Sequence, residues 1–91
     1  DRMTADEVIK EVAALCRSFG AKKVILYGSR AMGNARERSD IDIAVKGVED
    51  FDLLREKVDD LPTLFTVDLL NLDTCKYRLI LEDIRDYGRE I

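Results

Sequence analysis

The sequence predicts an α/β (α+β) fold in which a small mixed β-sheet of three to four strands is flanked by helices. The first observation is that apolar residues recur at helical spacing in some segments and form short β-branched runs in others. The second is that the two kinds of segment alternate along the chain, as they do where helices cover a sheet. The third is the length of 91 residues, which suffices for one core, so residues 1–91 are predicted to be one domain.

The first half of the chain is predicted to run helix, strand, turn and short helix. Thr4 and Glu7 match a capping box, and apolar side chains follow at helical spacing until Gly20, so the first helix is expected between these positions. Residues 23–27 are apolar and β-branched, and they predict a buried strand. This strand runs directly into residues 28–33, where a tight turn and a short helix are expected.

The second half is predicted to continue the alternation of strands and helices. Residues 40–45 are predicted as the second strand and residues 64–70 as the third, with an amphipathic helix over residues 48–61 between them. Asp73 matches an N-cap, so the last helix is expected over residues 74–87. The sequence leaves open whether the final residues add a fourth strand.

The composition argues against several classes of protein. With 15 basic and 19 acidic side chains the net charge is −4, which argues against binding to duplex nucleic acid. No apolar run approaches the ~20 residues of a membrane span, so no membrane partner is expected. The sequence has no histidine, which excludes Ser-His-Asp catalysis and histidine-ligated metals. Its two cysteines are expected to be thiols in a reducing compartment, which predicts a cytoplasmic location.

Two aspartates lie on one face of the predicted second strand. Because side chains alternate along a strand, Asp40 and Asp42 point the same way. Asp68 lies inside the apolar third strand, and if the two strands are neighbours the three carboxylates converge. Oxygen ligands of this kind suit Mg²⁺, and two such ions form a site for phosphoryl or nucleotidyl transfer. The alternative is an edge strand with solvent-facing acids and an ion-paired Asp68.

The Gly28-Ser29 pair lies where a predicted strand gives way to a helix. Backbone N–H groups at a helix start favour anions, glycine lets a phosphate approach the backbone closely, and the Ser29 hydroxyl can donate to it. Arg30, Arg36 and Arg38 add local positive charge, and we assign Arg30 to nucleotide binding. The alternatives are an ordinary turn capped by Ser29 and a solvated loop of arginines.

These motifs together resemble the signature of one superfamily. Gly28-Ser29, a gap of ten residues, Asp40-x-Asp42 and the later Asp68 look like the DNA polymerase beta-like nucleotidyltransferases. The stretch from the glycine to the paired aspartates is similar to that of the minimal nucleotidyltransferases, the small single-domain members of this superfamily. The resemblance covers nearly the whole chain and implies one minimal nucleotidyltransferase domain with the nucleotidyltransferase fold.

The resemblance also implies roles for individual residues. Gly28 and Ser29 are expected to hold the β- and γ-phosphates of ATP, the substrate. Asp40 and Asp42 are expected to bind two Mg²⁺ ions. Asp68 is expected to share the ion that faces the attacking hydroxyl and to help take its proton, so all three aspartates are candidate catalytic residues and metal ligands.

A partner protein is implied by the same resemblance. Minimal members often act beside a HEPN-domain toxin, and this implies transfer of AMP from ATP to a tyrosine of that toxin, with the chain as the antitoxin of a toxin–antitoxin pair. One alternative is an antitoxin that neutralises its partner by binding alone. Another is nucleotidyl transfer to a small molecule such as an antibiotic, in a pocket built by a homo-oligomer or by the last helix with its acidic residues 82–86.

Overall fold

Helices and strands alternate along the chain as the sequence predicts. The structure is a computed structural model and describes residues 3–91. None of the helices in this described part is both long and apolar enough to cross a membrane. In chain order the elements are α1 (Ala5–Ser18), β1 (Lys23–Tyr27), α2 (Ser29–Met32), β2 (Ile41–Lys46), α3 (Phe51–Asp59), β3 (Val67–Asn71), α4 (Arg78–Tyr87) and β4 (Arg89–Glu90).

The strands form one mixed sheet in the order β3-β2-β1-β4. β1 pairs antiparallel with both β2 and β4, whereas β2 pairs in parallel with β3. Helices α1, α3 and α4 all pack against the sheet. The predicted fold class is therefore confirmed, and the short β4 supplies the fourth of the three to four strands expected.

The core lies between α1, α3 and one face of the sheet. Alternate residues of β1 and β2 form the sheet side of this core, and residues at helical spacing on the two helices cover them. Both kinds of periodicity that the sequence shows are thus used for burial. The largest fully buried side chains are Val8, Val12, Cys16, Leu26, Ile41, Ile43, Val45 and Leu54.

The second face of the sheet is only partly covered. Gly88, at the end of α4, lies against the side chain of Ile25, and Ile84 of the same helix is buried. By strand alternation, Tyr27 and Asp42 lie on the same face as Ile25. Both are half-buried, so this face combines partial burial with polar groups.

The predicted start of the last helix is wrong. α4 begins at Arg78, with Tyr77 as its N-cap, and Asp73 lies in a turn instead. The Asp73 carboxylate accepts a hydrogen bond from the Gly47 N–H at 2.8 Å, and the Asp73 N–H donates to Oδ1 of Asn71 at 3.0 Å. Aspartate stabilises turns and helix starts through the same side chain-to-backbone bonds, which is why the sequence pattern suggested a cap.

Sequence predictions at two other element ends have different outcomes. The capping box of α1 is confirmed, because Thr4 Oγ1 accepts from the Glu7 N–H at 3.1 Å and Glu7 Oε1 accepts from the Thr4 N–H at 2.8 Å. β3 begins at Val67, three residues later than predicted. The residues before it form a turn in which the Phe65 N–H donates to Thr63 Oγ1 at 3.1 Å, and this local bond competes with strand pairing.

Candidate functional site

The strands that carry the three predicted aspartates are neighbours. Asp42 and Asp68 occupy partner positions in the parallel pair of β2 and β3, so both side chains lie on the face of the sheet opposite the core. Asp40 precedes β2 by one residue and is exposed, as is Asp68. The structure therefore brings together the strands that the sequence analysis required to be adjacent.

The half-buried Asp42 lies among three other carboxylates, and the four residues are called the acidic group below: Asp40, Asp42, Asp68 and Asp83. Burial raises the pKa of the Asp42 carboxyl above its ordinary value, and the negative charges of Asp68, Asp40 and Asp83 raise it further. Each effect disfavours the ionised form. Three neighbouring carboxylates thus act on Asp42, and a cation bound beside Asp42 would relieve the repulsion.

The Gly28-Ser29 turn reaches the acidic group from β1. Gly28 is the N-cap of α2 and has φ +71° and ψ −155°, a conformation that only glycine adopts readily. A Cβ at this position would overlap Oδ2 of Asp42. No side-chain hydrogen bond caps α2 within the described chain, so the predicted alternative of a Ser29 cap is not what the structure contains. Ser29 lies in the first turn of α2.

Two residues of this face were not among the sequence-predicted site residues. Tyr27 pairs with Asp42 across β1 and β2, and its pKa is raised to about 12 by burial and by the negative charges of Asp42, Asp68, Cys75 and Asp83. Tyr27 could have been found from the sequence, because it directly precedes the Gly28-Ser29 pair and strand alternation fixes the face of β1 on which it lies. Asp83 lies on α4, within the acidic residues 82–86 that the sequence suggested only for a small-molecule pocket, and its effect on Asp42 depends on how α4 packs on the sheet.

Arg30 is bonded to the chain itself. Its Nη2 donates to the carbonyl oxygens of Ser39 at 2.7 Å and of Glu37 at 3.1 Å. Its guanidinium carbon also lies 5.3 Å from the centre of the Phe65 ring. The predicted contact between Arg30 and a nucleotide stays a prediction, and the other two predicted arginines, Arg36 and Arg38, are exposed.

The chemistry of the acidic group fits Mg²⁺. Among residues 3–91, no three Asp, Glu or Cys side chains are arranged closely enough to enclose a metal ion by themselves. Mg²⁺, however, is held by one or two carboxylates and completes its shell with water and substrate phosphates. Asp42 and Asp68 occupy partner positions on β2 and β3, so two carboxylates are available on one face of the sheet. The residues present therefore suit this ion as a partial set of ligands.

Comparisons of sequence agree with this arrangement. Residues 9–91 match the family model described as Polymerase beta, Nucleotidyltransferase. MJ0604 of Methanocaldococcus jannaschii, provisionally named a protein adenylyltransferase, is 35% identical over 85 residues, which correspond to 90% of this chain and 73% of that protein. The catalytic class is thus that of an enzyme that transfers a nucleotidyl group.

Comparisons of structure give the same fold. A protein provisionally described as a minimal nucleotidyltransferase is 28% identical, with a TM-score of 0.67 and coverage of 100% of this chain and 97% of its own. A chain from the structure of a toxin–antitoxin with AMP-PNP is 23% identical, with a TM-score of 0.68 and coverage of 90% of this chain and 70% of its own. A chain from the complex of a tri-AMPylated Shewanella oneidensis HEPN toxin with MNT antitoxin is 20% identical, with a TM-score of 0.66 and coverage of 93% of this chain and 69% of its own. The chain therefore belongs to the polymerase beta nucleotidyltransferase family.

Proposed function

We propose that the chain is a Mg²⁺-dependent adenylyltransferase that transfers AMP from ATP to a tyrosine hydroxyl of a HEPN-domain toxin, and that it acts as the antitoxin of that toxin. The observation that carries the proposal is the direct pairing of Asp42 with Asp68 beside the Gly28 turn. This juxtaposition supplies carboxylates for cations and a backbone turn for phosphates at one end of the sheet.

The proposed roles follow from the positions of the residues. Gly28 and Ser29 would bind the β- and γ-phosphates, because a glycine with positive φ lets a ligand approach the backbone that leads into α2. Asp40, Asp42 and Asp68 would hold two Mg²⁺ ions, which when bound neutralise phosphate charge and lower the pKa of an attacking hydroxyl. Asp68 is exposed on the edge strand β3, where it can accept the proton of an acceptor that arrives from solvent.

In the proposed reaction the chain contributes alignment and electrostatics and forms no covalent bond. The tyrosine oxygen attacks the α-phosphorus, the new P–O bond forms, and the α–β phosphoanhydride bond breaks so that pyrophosphate leaves. The phenolic proton passes to Asp68. Holding the two reactants in line and in a fixed electrostatic environment is sufficient to account for large rate increases.

A protein acceptor is supported by the relatives. The sequence relative MJ0604 is provisionally named a protein adenylyltransferase, and one structural neighbour is a chain from the complex of a tri-AMPylated HEPN toxin with MNT antitoxin. We further propose that residues 1–91 form one domain. The chain would act in the cytoplasm, where ATP is available and where free thiols such as the buried Cys16 stay reduced.

The proposal is tested with a HEPN-domain protein as the acceptor, taken from the gene adjacent to that of this chain where that gene encodes one. That protein is incubated with the chain, ATP and Mg²⁺, and intact-mass spectrometry measures the addition of AMP groups. We expect AMP addition with the wild type and with Glu56→Gln, a matched loss of charge on the exposed side of α3, and none with Asp42→Asn or without Mg²⁺. Absence of transfer by the wild type, or equal transfer by Asp42→Asn, would contradict the proposal.

A toxicity assay separates this reaction from neutralisation by binding. Cells that express the HEPN protein are supplied with the wild type or with the Asp40→Asn/Asp42→Asn double variant. We expect growth to be restored by the wild type alone. Full protection by the double variant would show that binding suffices and that AMP transfer is not the basis of neutralisation.

A further inference from the structure

We propose that Arg30 is a positioning residue that fixes the Gly28-Ser29 turn relative to the two chain segments that carry Asp40 and Asp68. This inference rests on the proposed function, because it concerns the same site. It assigns Arg30 a role different from the nucleotide contact that the sequence suggested. The guanidinium would act through the backbone that it holds and not on the substrate.

The first connection joins α2 to the loop before β2. Nε and Nη2 of Arg30 both donate to the carbonyl oxygen of Ser39, at 3.2 and 2.7 Å, and Nη2 also donates to the carbonyl of Glu37 at 3.1 Å. The loop is closed on itself as well, since the Ser39 N–H donates to the carbonyl of Arg36 at 3.1 Å. Ser39 directly precedes Asp40, so the hydrogen bonds of the Arg30 guanidinium fix the backbone position from which the Asp40 carboxylate projects.

The second connection joins α2 to the segment before β3. The Arg30 guanidinium lies over the ring of Phe65, with 5.3 Å between its carbon and the ring centre. The next residue, Thr66, accepts a hydrogen bond from the N–H of Ile41 at 2.9 Å, and this bond ties the starts of β2 and β3 together. One side chain therefore contacts the segments that lead into both strands of the acidic group.

The chemistry of arginine suits this role and that of lysine does not. A planar guanidinium offers several donors in fixed directions and stacks on an aromatic ring, whereas an ammonium is a point charge on a flexible stem. Arg30 is half-buried, and its Nε and Nη2 are directed at backbone carbonyls of the loop. Displacement of a ligand by even 1 Å is enough to cost about 100-fold in a reaction that depends on alignment.

The test compares Arg30→Ala and Arg30→Lys with Arg55→Ala, a loss of charge at an exposed position of α3. Circular dichroism verifies that each variant is folded. Limited trypsin digestion, followed by mass spectrometry, reports the accessibility of the loop through cleavage after Arg36 and Arg38. Phe65→Leu removes the ring while it retains every charge, so it tests the second connection even where a change at Arg30 prevents folding.

Two ligand measurements complete the test. The affinity for Mn²⁺, a paramagnetic substitute for Mg²⁺, is measured by electron paramagnetic resonance in the presence of α,β-methylene ATP. Binding of the same analogue in EDTA is measured by NMR titration, which detects weak binding. The first measurement depends on the placement of carboxylates, whereas the second depends on direct contacts between the chain and the phosphates.

We expect both Arg30 variants to be cleaved in the loop at least ~10-fold faster than Arg55→Ala, because loss of the guanidinium hydrogen bonds raises the population of open loop conformations. We expect Mn²⁺ affinity to fall about 10- to 100-fold, the range typical of residues that orient metal ligands. Binding of the analogue in EDTA should stay within about twofold of wild type, since Arg30 makes no direct contact with phosphate in this proposal. Phe65→Leu should change cleavage and Mn²⁺ affinity in the same direction by a smaller factor.

Other results overturn the inference. If binding of the analogue in EDTA falls as steeply as Mn²⁺ affinity, Arg30 is a nucleotide ligand. If Arg30→Lys matches wild type in cleavage and in Mn²⁺ affinity, the guanidinium of Arg30 has no positioning role. If the wild type binds neither Mn²⁺ nor the analogue, the proposed function fails, while the digestion, which needs no ligand, still measures whether Arg30 holds the loop.

Discussion

Gly28 leaves no room for a side chain against the carboxylate of Asp42. Gly28 directly follows β1, which pairs antiparallel with the strand that carries Asp42, and a Cβ on Gly28 would overlap Oδ2 of Asp42. The backbone of Gly28 is also in a region of φ and ψ that other residues avoid. The Gly28-Ser29 turn and the half-buried carboxylate are therefore packed closely against each other.

This fit predicts that Gly28→Ala destabilises the fold through two effects. The strained backbone alone costs about 1–3 kcal/mol, and the carboxylate of Asp42 must move to admit the methyl group. We expect a loss of about 2–4 kcal/mol in the free energy of unfolding, measured by urea denaturation. Because Asp42 moves, we also expect nucleotidyl transfer to fall by about 100-fold.

Gly33→Ala provides the matched control for this prediction. Gly33 also has a positive φ, +77°, but a Cβ there would meet nothing within 4 Å. Its substitution carries only the left-handed backbone penalty of about 1–2 kcal/mol. Equal destabilisation by the two variants would contradict the role given to the contact between Gly28 and Asp42.

Asp42→Asn is expected to stabilise the protein in the absence of metal while it abolishes transfer. The folded state raises the pKa of Asp42, chiefly through burial and then through the charges of Asp68, Asp40 and Asp83. An acid with a raised pKa binds its proton more tightly in the folded state, so ionisation at higher pH removes stability. The variant has no such group, and its melting temperature at pH 7 should exceed that of wild type.

The pH dependence of this difference checks its origin. Below the ordinary carboxyl pKa, Asp42 is protonated in both folded and unfolded states, and the two proteins should differ least. The advantage of Asp42→Asn should grow as pH rises through the raised pKa of Asp42. Addition of Mg²⁺ with a non-reactive ATP analogue should raise the melting temperature of wild type and of Glu56→Gln, but not that of Asp42→Asn. A variant that is less stable than wild type at pH 7 would contradict the prediction.

Tyr27→Phe tests whether the hydroxyl beside the acidic group takes part in the reaction. Burial, together with the negative charges of Asp42, Asp68, Cys75 and Asp83, raises the pKa of Tyr27 to about 12, so the phenol stays neutral at physiological pH. We expect transfer activity to stay within about threefold of wild type, with the same pH profile below pH 10. A tenfold loss, or a shifted profile, would identify Tyr27 as a catalytic group.

The same pKa predicts how the variant behaves in strong base. The unfolded state ionises near pH 10 and the folded state near pH 12, so wild type loses stability over this window as pH rises. Tyr27→Phe should lose less, and Tyr77→Phe, at an exposed position, should lose as much as wild type. Melting temperatures at several pH values measure the three slopes. Identical slopes for all three proteins would mean that burial of Tyr27 has no such effect.

Most of the geometry of the candidate site could be predicted from the sequence, because the signals for it are local or periodic. Asp42 and Asp68 are readable as acids within apolar runs, and Gly28 marks the end of a strand. Arg30 is different, since its partners depend on the path of a polar loop that no periodicity describes. Asp73 was predicted as a helix cap because aspartate stabilises turns and helix starts through the same bonds. Local chemistry was thus predictable, whereas the packing of α4 and the loop was not.

Asp83→Asn tests the contribution of α4 to the acidic group. Asp83 is half-buried and its negative charge helps to raise the pKa values of both Asp42 and Tyr27. Removal of this charge should lower the pKa of Asp42 towards its ordinary value, and NMR titration of the side-chain carboxyl carbon measures the change directly.

Asp86→Asn is the control, because the Asp86 carboxylate is exposed and pairs with Arg85 at 3.0 Å. If Asp83→Asn leaves the titration of Asp42 unchanged while Asp86→Asn alters it, α4 faces the site with a different side from the one described. If neither variant alters it, burial and the strand aspartates account for the whole shift. With the expected result, α4 contributes a fourth carboxylate to the electrostatic field around Asp42, where we propose that the nucleotide and its cations bind.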